Sequence, residues 1–296
     1  MAKKNMEKVS IIMPSNRILS PLTKITYKSA IQQNYQNVEF LIYINGLSIK
    51  KKDSIINFLK DSNIFNHKIK YIYSFKKISP GEARLKLIEI SSGNLIIFID
   101  SDDIADINLI SSKMKLAKNK NLDIICCSAY TFSNLNEYKS GFMNERKYAI
   151  SLMLLNLFGN SFLPLSVNLI PNSGTLIRRK IKNDYVFKNY PQCNHEDFLF
   201  YQELLKCSKQ VALIEKPLIS YSIHRKTLTG NKIKSRIWHA KAISQLANIS
   251  LIKSLFLSLI GCLIILPLIF ILEKIRNLLN NDKSGKINIS FQYYRK

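Results

Sequence analysis

The chain is short of acid. Against 44 lysines and arginines stand only 20 aspartates and glutamates, which leaves a formal charge of +24 over 296 residues and excludes an acidic chain. Cysteine is also scarce. Of the five, Cys126 and Cys127 are adjacent and Cys193, Cys207 and Cys262 isolated, a spacing that makes neither a metal-ligand set nor a disulfide framework, so a reducing compartment is expected. Glycine and proline are few, at 9 and 8, and with 47% hydrophobic residues the composition is that of a chain that buries a core. The opening MAKKNMEKVSIIM lacks the apolar stretch of a secretory signal, so residues 1–250 are expected to stay cytoplasmic. No dense basic block interleaved with aromatics occurs, and no zinc-finger or RNP-like pattern, so nucleic acid is not an expected partner. The positive charge suits nucleotide phosphates and an anionic membrane surface equally well.

What is present is an alternation of short apolar runs with helix-like stretches, the pattern of strands joined by crossover helices. Val9–Met13, Val38–Ile44, Ile69–Tyr73 and Leu95–Ile99 read as strands. Pro21–Gln33, Ser54–Lys60 and Glu82–Ile90 read as the helices between them, the last opened by Pro80-Gly81 and closed by Gly93. A helix over Asp106–Lys118 and a strand over Ile124–Cys127 follow. Beyond residue 128 the alternation lapses, and Ser151–Phe162 and Pro164–Ile170 could each be helix or buried strand. A helix is expected over Glu196–Leu205, after the turn Gln192–His195, with short strands at Val211–Ile214 and Leu218–Ile223. Ser254–Leu272 then runs 19 residues without a charge, between Lys253 and the group Glu273, Lys274 and Arg276. That length suits a membrane span. Gly261 and Pro267 inside it, and the basic flanks, suit a hairpin or an interfacial helix instead.

Leu95–Ile99 has the continuous hydrophobicity of a strand covered on both faces, and it ends in Asp100-Ser101-Asp102-Asp103. Three carboxylates at the carboxyl end of a buried strand stand where open α/β sheets bind ligands. They repel one another, so a cation or a set of donors must hold their charge. Oxygen ligands with few imidazoles suit Mg²⁺ or Mn²⁺; the alternative is a solvated turn that caps the next helix.

The segment Gly81-Glu82-Ala83-Arg84, with Ser92-Gly93-Asn94 and Leu95–Asp103 after it, closely resembles the core signature of family 2 glycosyltransferases. Val9–Pro14 resembles the opening strand and proline of that family, Ser29–Tyr35 its first helix end, and Glu196-Asp197 its ED motif. The resemblance covers about residues 9–240. It implies a GT-A-like α/β fold, a mostly parallel central sheet flanked by helices, and metal-assisted, inverting transfer from a nucleotide-diphospho-sugar. It further implies that Asp100 and Asp102 engage ribose, metal and diphosphate, with Asp102 as first metal ligand, and that Arg84 pairs with the diphosphate. Asp197 becomes the general base and Glu196 its neighbour at the acceptor, against a bare helix-capping role for Asp197. Tyr221–Gly230 resembles the segment that carries a basic loop over the diphosphate, which makes His224 and Arg225 candidates.

Two departures bear on the donor. Ile44-Asn45-Gly46-Leu47 stands where the family usually has Asp-Asp-Gly-Ser, so Asn45 takes the place of the carboxylate that reads the base. Asn16-Arg17 stands in place of Tyr-Asn, just after Pro14. The expected organisation is a transferase domain over 1–240, divided into a nucleotide-sugar half (1–127) and an acceptor half (128–240), a membrane-associating helical segment over 241–276 and a basic tail over 277–296. The expected acceptor is a lipid-linked or cell-surface glycan at the cytoplasmic face of a bacterial inner membrane. The rival is a catalytically silent member of the same fold that binds the membrane surface.

Overall fold

Strands with four or five apolar residues in a row need cover on both faces, and the sheet supplies it. The computed structural model describes residues 6–119, 122–146, 148, 151, 168, 170–179, 195–207, 211–223 and 232–279. Strands β1 (Val9–Ser15), β2 (Val38–Asn45), β3 (Lys68–Ser74) and β4 (Leu95–Phe98) lie parallel in the order β3-β2-β1-β4. Helices α1 (Pro21–Ile31), α2 (Ile49–Ser62) and α3 (Pro80–Ile90) make the crossovers. Two of these starts follow from the sequence. Ser20 and Thr23 close a capping box before Pro21, and the Ser79 side chain accepts from the Glu82 N–H before Pro80.

Beyond β4 the sheet becomes mixed. The further strands are β5 (Ile104–Ala105), β6 (Ile124–Phe132), β7 (Asn144–Arg146), β8 (Leu176–Arg178) and β9 (Val211–Ser222), in the order β4-β8-β6-β9-β5 with β7 on β6. β8 inserts antiparallel between β4 and β6, so parallel pairing holds in the first half and around β6 and β9. Helix α4 (Leu109–Ala117) covers β6, and α5 (Leu135–Ser140) follows it. The two strands expected over residues 211–223 are one. Pro217 falls opposite Ser128 where the β6–β9 register shifts, so β9 passes its proline through an irregularity without ending.

Glu39, fully buried in β2, accepts from Ser10 Oγ at 2.6 Å and from Ser92, with Lys8 and Lys70 at 3.1 and 3.0 Å. Burial opposes its charge, yet those bonds hold its carboxyl well below the ordinary range. Ser10 Oγ also accepts from the Gly93 N–H at 2.8 Å. A Cβ at Gly93 would lie 2.7 Å from the Ser10 nitrogen, so only glycine lets this turn approach and set the start of β4.

The chain continues through α6 (Glu196–Cys207) and α7 (Lys232–Ala247), which runs without a break across the boundary expected at residue 240. A long helix then runs from α8 (Leu251–Ile260) through a π turn at Gly261–Ile265 into α9 (Leu266–Leu279). The charge-free run is therefore one helix and not a hairpin. The π turn immediately precedes Pro267, whose missing N–H and ring clash would otherwise break the ladder. The assignments for 152–162, 164–167 and 192–194, the tail from 280, and His224 and Arg225 lie outside the described residues.

Candidate active site

The carboxyl ends of β1, β2 and β4 face the same edge of the sheet, which brings Pro14, Asn45 and Asp100 to one side. Pro14 is buried in register with Tyr43. Asn45 is buried too, and its amide clasps the α3 approach: Nδ2 donates to the Ile78 carbonyl at 2.8 Å and Oδ1 accepts from the Ile78 N–H at 2.9 Å. The amide expected to face a base thus first holds the loop before Arg84. One N–H and one lone pair remain to it.

Asp100 is met from two sides. Arg84 Nη2 donates to it at 2.6 Å, and Asn172 Nδ2 reaches both carboxylate oxygens at 3.1 and 3.2 Å. Its own N–H donates to Ser173 Oγ at 3.1 Å. Asn172 and Ser173 arrive there because β8 runs antiparallel to β4, which puts the loop before β8 at the end of β4. That loop turns through Gly174 at φ +81°, and a Cβ there would strike the Ile219 side chain, so glycine is required twice over.

Asp102 is paired with Arg17, Nη2 to Oδ2 at 2.6 Å. Asp103 turns inward, where its carboxylate accepts from the Ser222 N–H at 3.0 Å. Burial, with Asp102 and Asp100 close by, holds the Asp103 carboxyl well above its ordinary range. The repulsion among the three acids is thus met by two guanidiniums and by amide and hydroxyl donors, while burial disfavours the charge on the innermost acid. Ser222 ends β9, and the neighbouring Tyr221 donates to the Ser173 carbonyl at 3.1 Å. The segment that leads to His224 and Arg225 therefore leaves from the side of Asp103.

The second acidic motif comes to the same guanidinium. Glu196 and Asp197 open α6, and a Cβ on Gly81 would lie 2.9 Å from Glu196 Cβ, so the start of α6 rests directly on the start of α3. Burial opposes the charge on Arg84, but Asp100, and then Asp197 and Glu196, keep it protonated above its ordinary range. Burial pushes the Glu196 carboxyl up, against the pull of Arg84. Asn168 Nδ2 stands 3.5 Å from Asp197. Two motifs nearly a hundred positions apart, at Asp100 and Asp197, thus act on one side chain.

Among the described residues no three His, Cys, Asp or Glu side chains converge as a metal-holding group. One or two carboxylates completed by water and phosphate oxygens is the ligation Mg²⁺ favours, and Asp102 with Asp100 fits it. Sequence reasoning missed Asn172 and Ser173, whose approach depends on an antiparallel insertion that no local pattern announces. Arg17 was visible only as a departure from the usual Tyr-Asn.

Residues 10–186 match the profile described as glycosyl transferase family 2. The chain belongs to that family. An uncharacterised glycosyltransferase of Haemophilus influenzae is 27% identical over 253 residues, 85% of this chain and 94% of the relative. The Escherichia coli enzyme WfgD, named UDP-Glc:alpha-D-GlcNAc-diphosphoundecaprenol beta-1,3-glucosyltransferase, is 24% identical over 228 residues, 76% of this chain and 81% of that one. The mannosyltransferase PcManGT of Pyrobaculum calidifontis, solved with GDP-Man and Mn²⁺, superposes with a TM-score of 0.61 at 9% identity, over 96% of this chain and 77% of that one. The fold is GT-A, and the chain is a glycosyltransferase.

Proposed function

We propose that this glycosyltransferase moves a sugar from a nucleotide-diphosphate donor to a hydroxyl of a lipid-linked or cell-surface glycan, with metal assistance and inversion at the anomeric carbon. The observation that carries the reading is Arg84, bonded to Asp100 at 2.6 Å and held charged by Asp197 and Glu196 as well. A donor-side acid and an acceptor-side acid around one guanidinium are what a single displacement needs. Asp197 takes the proton of the acceptor hydroxyl while that oxygen bonds to the anomeric carbon. The bond from that carbon to the diphosphate oxygen breaks, and the diphosphate leaves with the electron pair. Glu196, seated against Gly81, fixes the floor beside Asp197. Arg84 and Arg17 offer N–H donors to phosphate oxygens.

Asp102, with Asp100 beside it, would hold Mg²⁺ or Mn²⁺, and a bound divalent ion supplies positive charge against the developing diphosphate. Pro14 and the free amide capacity of Asn45 border the nucleoside, and His224 and Arg225 are the candidates to close over the phosphates. WfgD takes, by name, a UDP-sugar and a lipid diphosphate acceptor, and PcManGT was solved with a nucleotide sugar and Mn²⁺; both likenesses support the same classes here. The cytoplasmic face of a bacterial inner membrane, where such an acceptor is held, is the site of action that fits. A thermal-shift panel of nucleotide sugars with and without Mn²⁺ tests this, because a ligand stabilises the state it binds. One donor should raise the melting temperature in a metal-dependent way, and Asp102→Asn should abolish the rise. Folded protein that responds to no donor would overturn the assignment.

A further inference from the structure

The helix Leu251–Arg276 is 26 residues long and its most apolar 18-residue stretch has a mean hydropathy of 3.0, long and apolar enough to cross a bilayer. Its inner face is nevertheless committed to the protein. Ile265 and Ile269 belong to the main core, and Leu257 packs in a cluster with Phe198, Leu199, Ala242 and Ile243. Ser258 Oγ meets the buried His239 Nδ1 at 3.1 Å, and at the far end Arg276 pairs with Glu215 at 2.7 Å. Glu273 is buried on this face as well. A transmembrane course would strip these polar groups of their partners or draw β9 into lipid with them.

The outer face is the reverse of a soluble helix. Ile252, Phe256, Leu259, Leu263, Phe270 and Ile271 project outward, with exposures of 80, 65, 47, 69, 62 and 53%. Their spacing, chiefly three and four, draws one stripe along the helix, a larger apolar surface than soluble monomers leave uncovered. The only exposed charges on the helix are cationic: Lys253 near one end, and near the other Lys274, whose Nζ lies 5.1 Å from the Phe270 ring. The one acid, Glu273, faces inward.

We infer that this helix is an in-plane docking surface for an anionic bilayer. Its apolar stripe sinks to the boundary of headgroups and acyl chains, and the terminal lysines sit among the phosphates. A second copy is the poorer occupant, since a two-fold contact would set these lysines and a +24 chain against their own like. Leu257 shares one hydrophobic cluster with Phe198 and Leu199, the two residues after Asp197, and with Ala242 and Ile243 of α7, so the docked helix is packed as one body with the start of α6. The inference deepens the membrane-side reading above and rests on it.

The full chain is to be mixed with sealed vesicles of phosphatidylcholine, alone or with 30% phosphatidylglycerol, and sedimented without donor. Binding that the anionic lipid strengthens at least tenfold is expected, together with loss of binding in Phe256→Glu/Leu263→Glu. Both positions face outward, so that variant should keep its melting temperature and its nucleotide-sugar binding. On bound vesicles, a membrane-impermeant maleimide should label both Lys253→Cys and Lys274→Cys above the wild-type background. Protection of one of the two would mean a span and overturn the inference. So would folded wild type that ignores anionic vesicles, or a dimer in light scattering that the double glutamate variant dissolves. Because sedimentation involves no turnover, failure here is distinct from failure of the transfer reaction.

Discussion

Arg17 and Asp102 face each other at 2.6 Å, with 42 and 21% of their side chains exposed. The companion pair, Arg84 and Asp100, has the same distance, but its arginine is only 8% exposed. The difference divides their tasks. Arg84 is fixed between two motifs, whereas Arg17 rests on Asp102 from the solvent side, in a pair of the kind that contributes only about 0–1 kcal/mol.

In the proposed reaction Arg17 would compete with a divalent ion for Asp102 and be released toward the donor phosphates when the ion binds. Arg17→Gln should tighten Mn²⁺ binding in the absence of nucleotide several-fold and weaken nucleoside diphosphate binding by about tenfold, the loss of one good charge-assisted pair. Paramagnetic resonance of free Mn²⁺ and calorimetry with the nucleotide read the two effects separately. Unchanged values in both would remove Arg17 from the site.

Asp197 and Asp102 should fail in different ways. Asp197→Asn is nearly isosteric and leaves the donor side intact, so donor affinity should hold within about twofold while turnover falls by about 10²–10⁴, the usual contribution of a positioned base. Asp102→Asn should lose metal-dependent donor binding first. Full turnover in Asp197→Asn would return that residue to a capping role.

The first half of this arrangement was legible because it is local. Apolar runs, proline-led helix starts and Gly93 each carry their own physical reason, and β1 to β4 formed close to where those signals stand. Asp100-Ser101-Asp102-Asp103 was readable from the buried strand before it. The second half depends on long-range pairing. Nothing local says that Leu176–Arg178 will enter antiparallel beside β4 and carry Asn172 to Asp100. Nor does hydropathy distinguish a helix inside a bilayer from one with an inner face that holds Ser258 on His239 and Arg276 on Glu215. Asn45 is a milder case. Its place at the end of β2 was foreseen, while its engagement with Ile78 comes from the fold.

Gly81 is the contact between the two motifs, which gives a test that replaces no charged residue. In Gly81→Ala the new methyl would meet Glu196 Cβ at 2.9 Å and Cγ at 3.0 Å, atoms too near the α6 backbone to swing aside. The start of α6 must move, at a cost of about 1–3 kcal/mol for an overpacked contact. Urea denaturation should show that loss. Turnover should fall more than the folded fraction does, because Asp197 shifts with α6; turnover that tracks the folded fraction alone would separate Asp197 from the chemistry.

His239 makes the long helix sensitive to acid. It projects from α7 and is buried against the long helix, with Nδ1 3.1 Å from Ser258 Oγ and its ring edge-on to Phe198 at 4.7 Å. Burial first, then His195 and Arg236, push its pKa down to about 3, whereas an unfolded histidine titrates near 6.5. Between those values the unfolded chain takes up a proton that the native one refuses. Stability contributed by the neutral ring is therefore complete above about pH 6.5 and drains as pH falls, at about 1.4 kcal/mol per unit, until the native ring itself protonates. From pH 6.5 to 5 the loss from this residue should reach about 2 kcal/mol. His195, also held low chiefly by burial, pulls in the same direction. His239→Gln should flatten most of that slope in urea titrations followed by the fluorescence of Trp238. The same slope in variant and wild type would assign the acid sensitivity elsewhere.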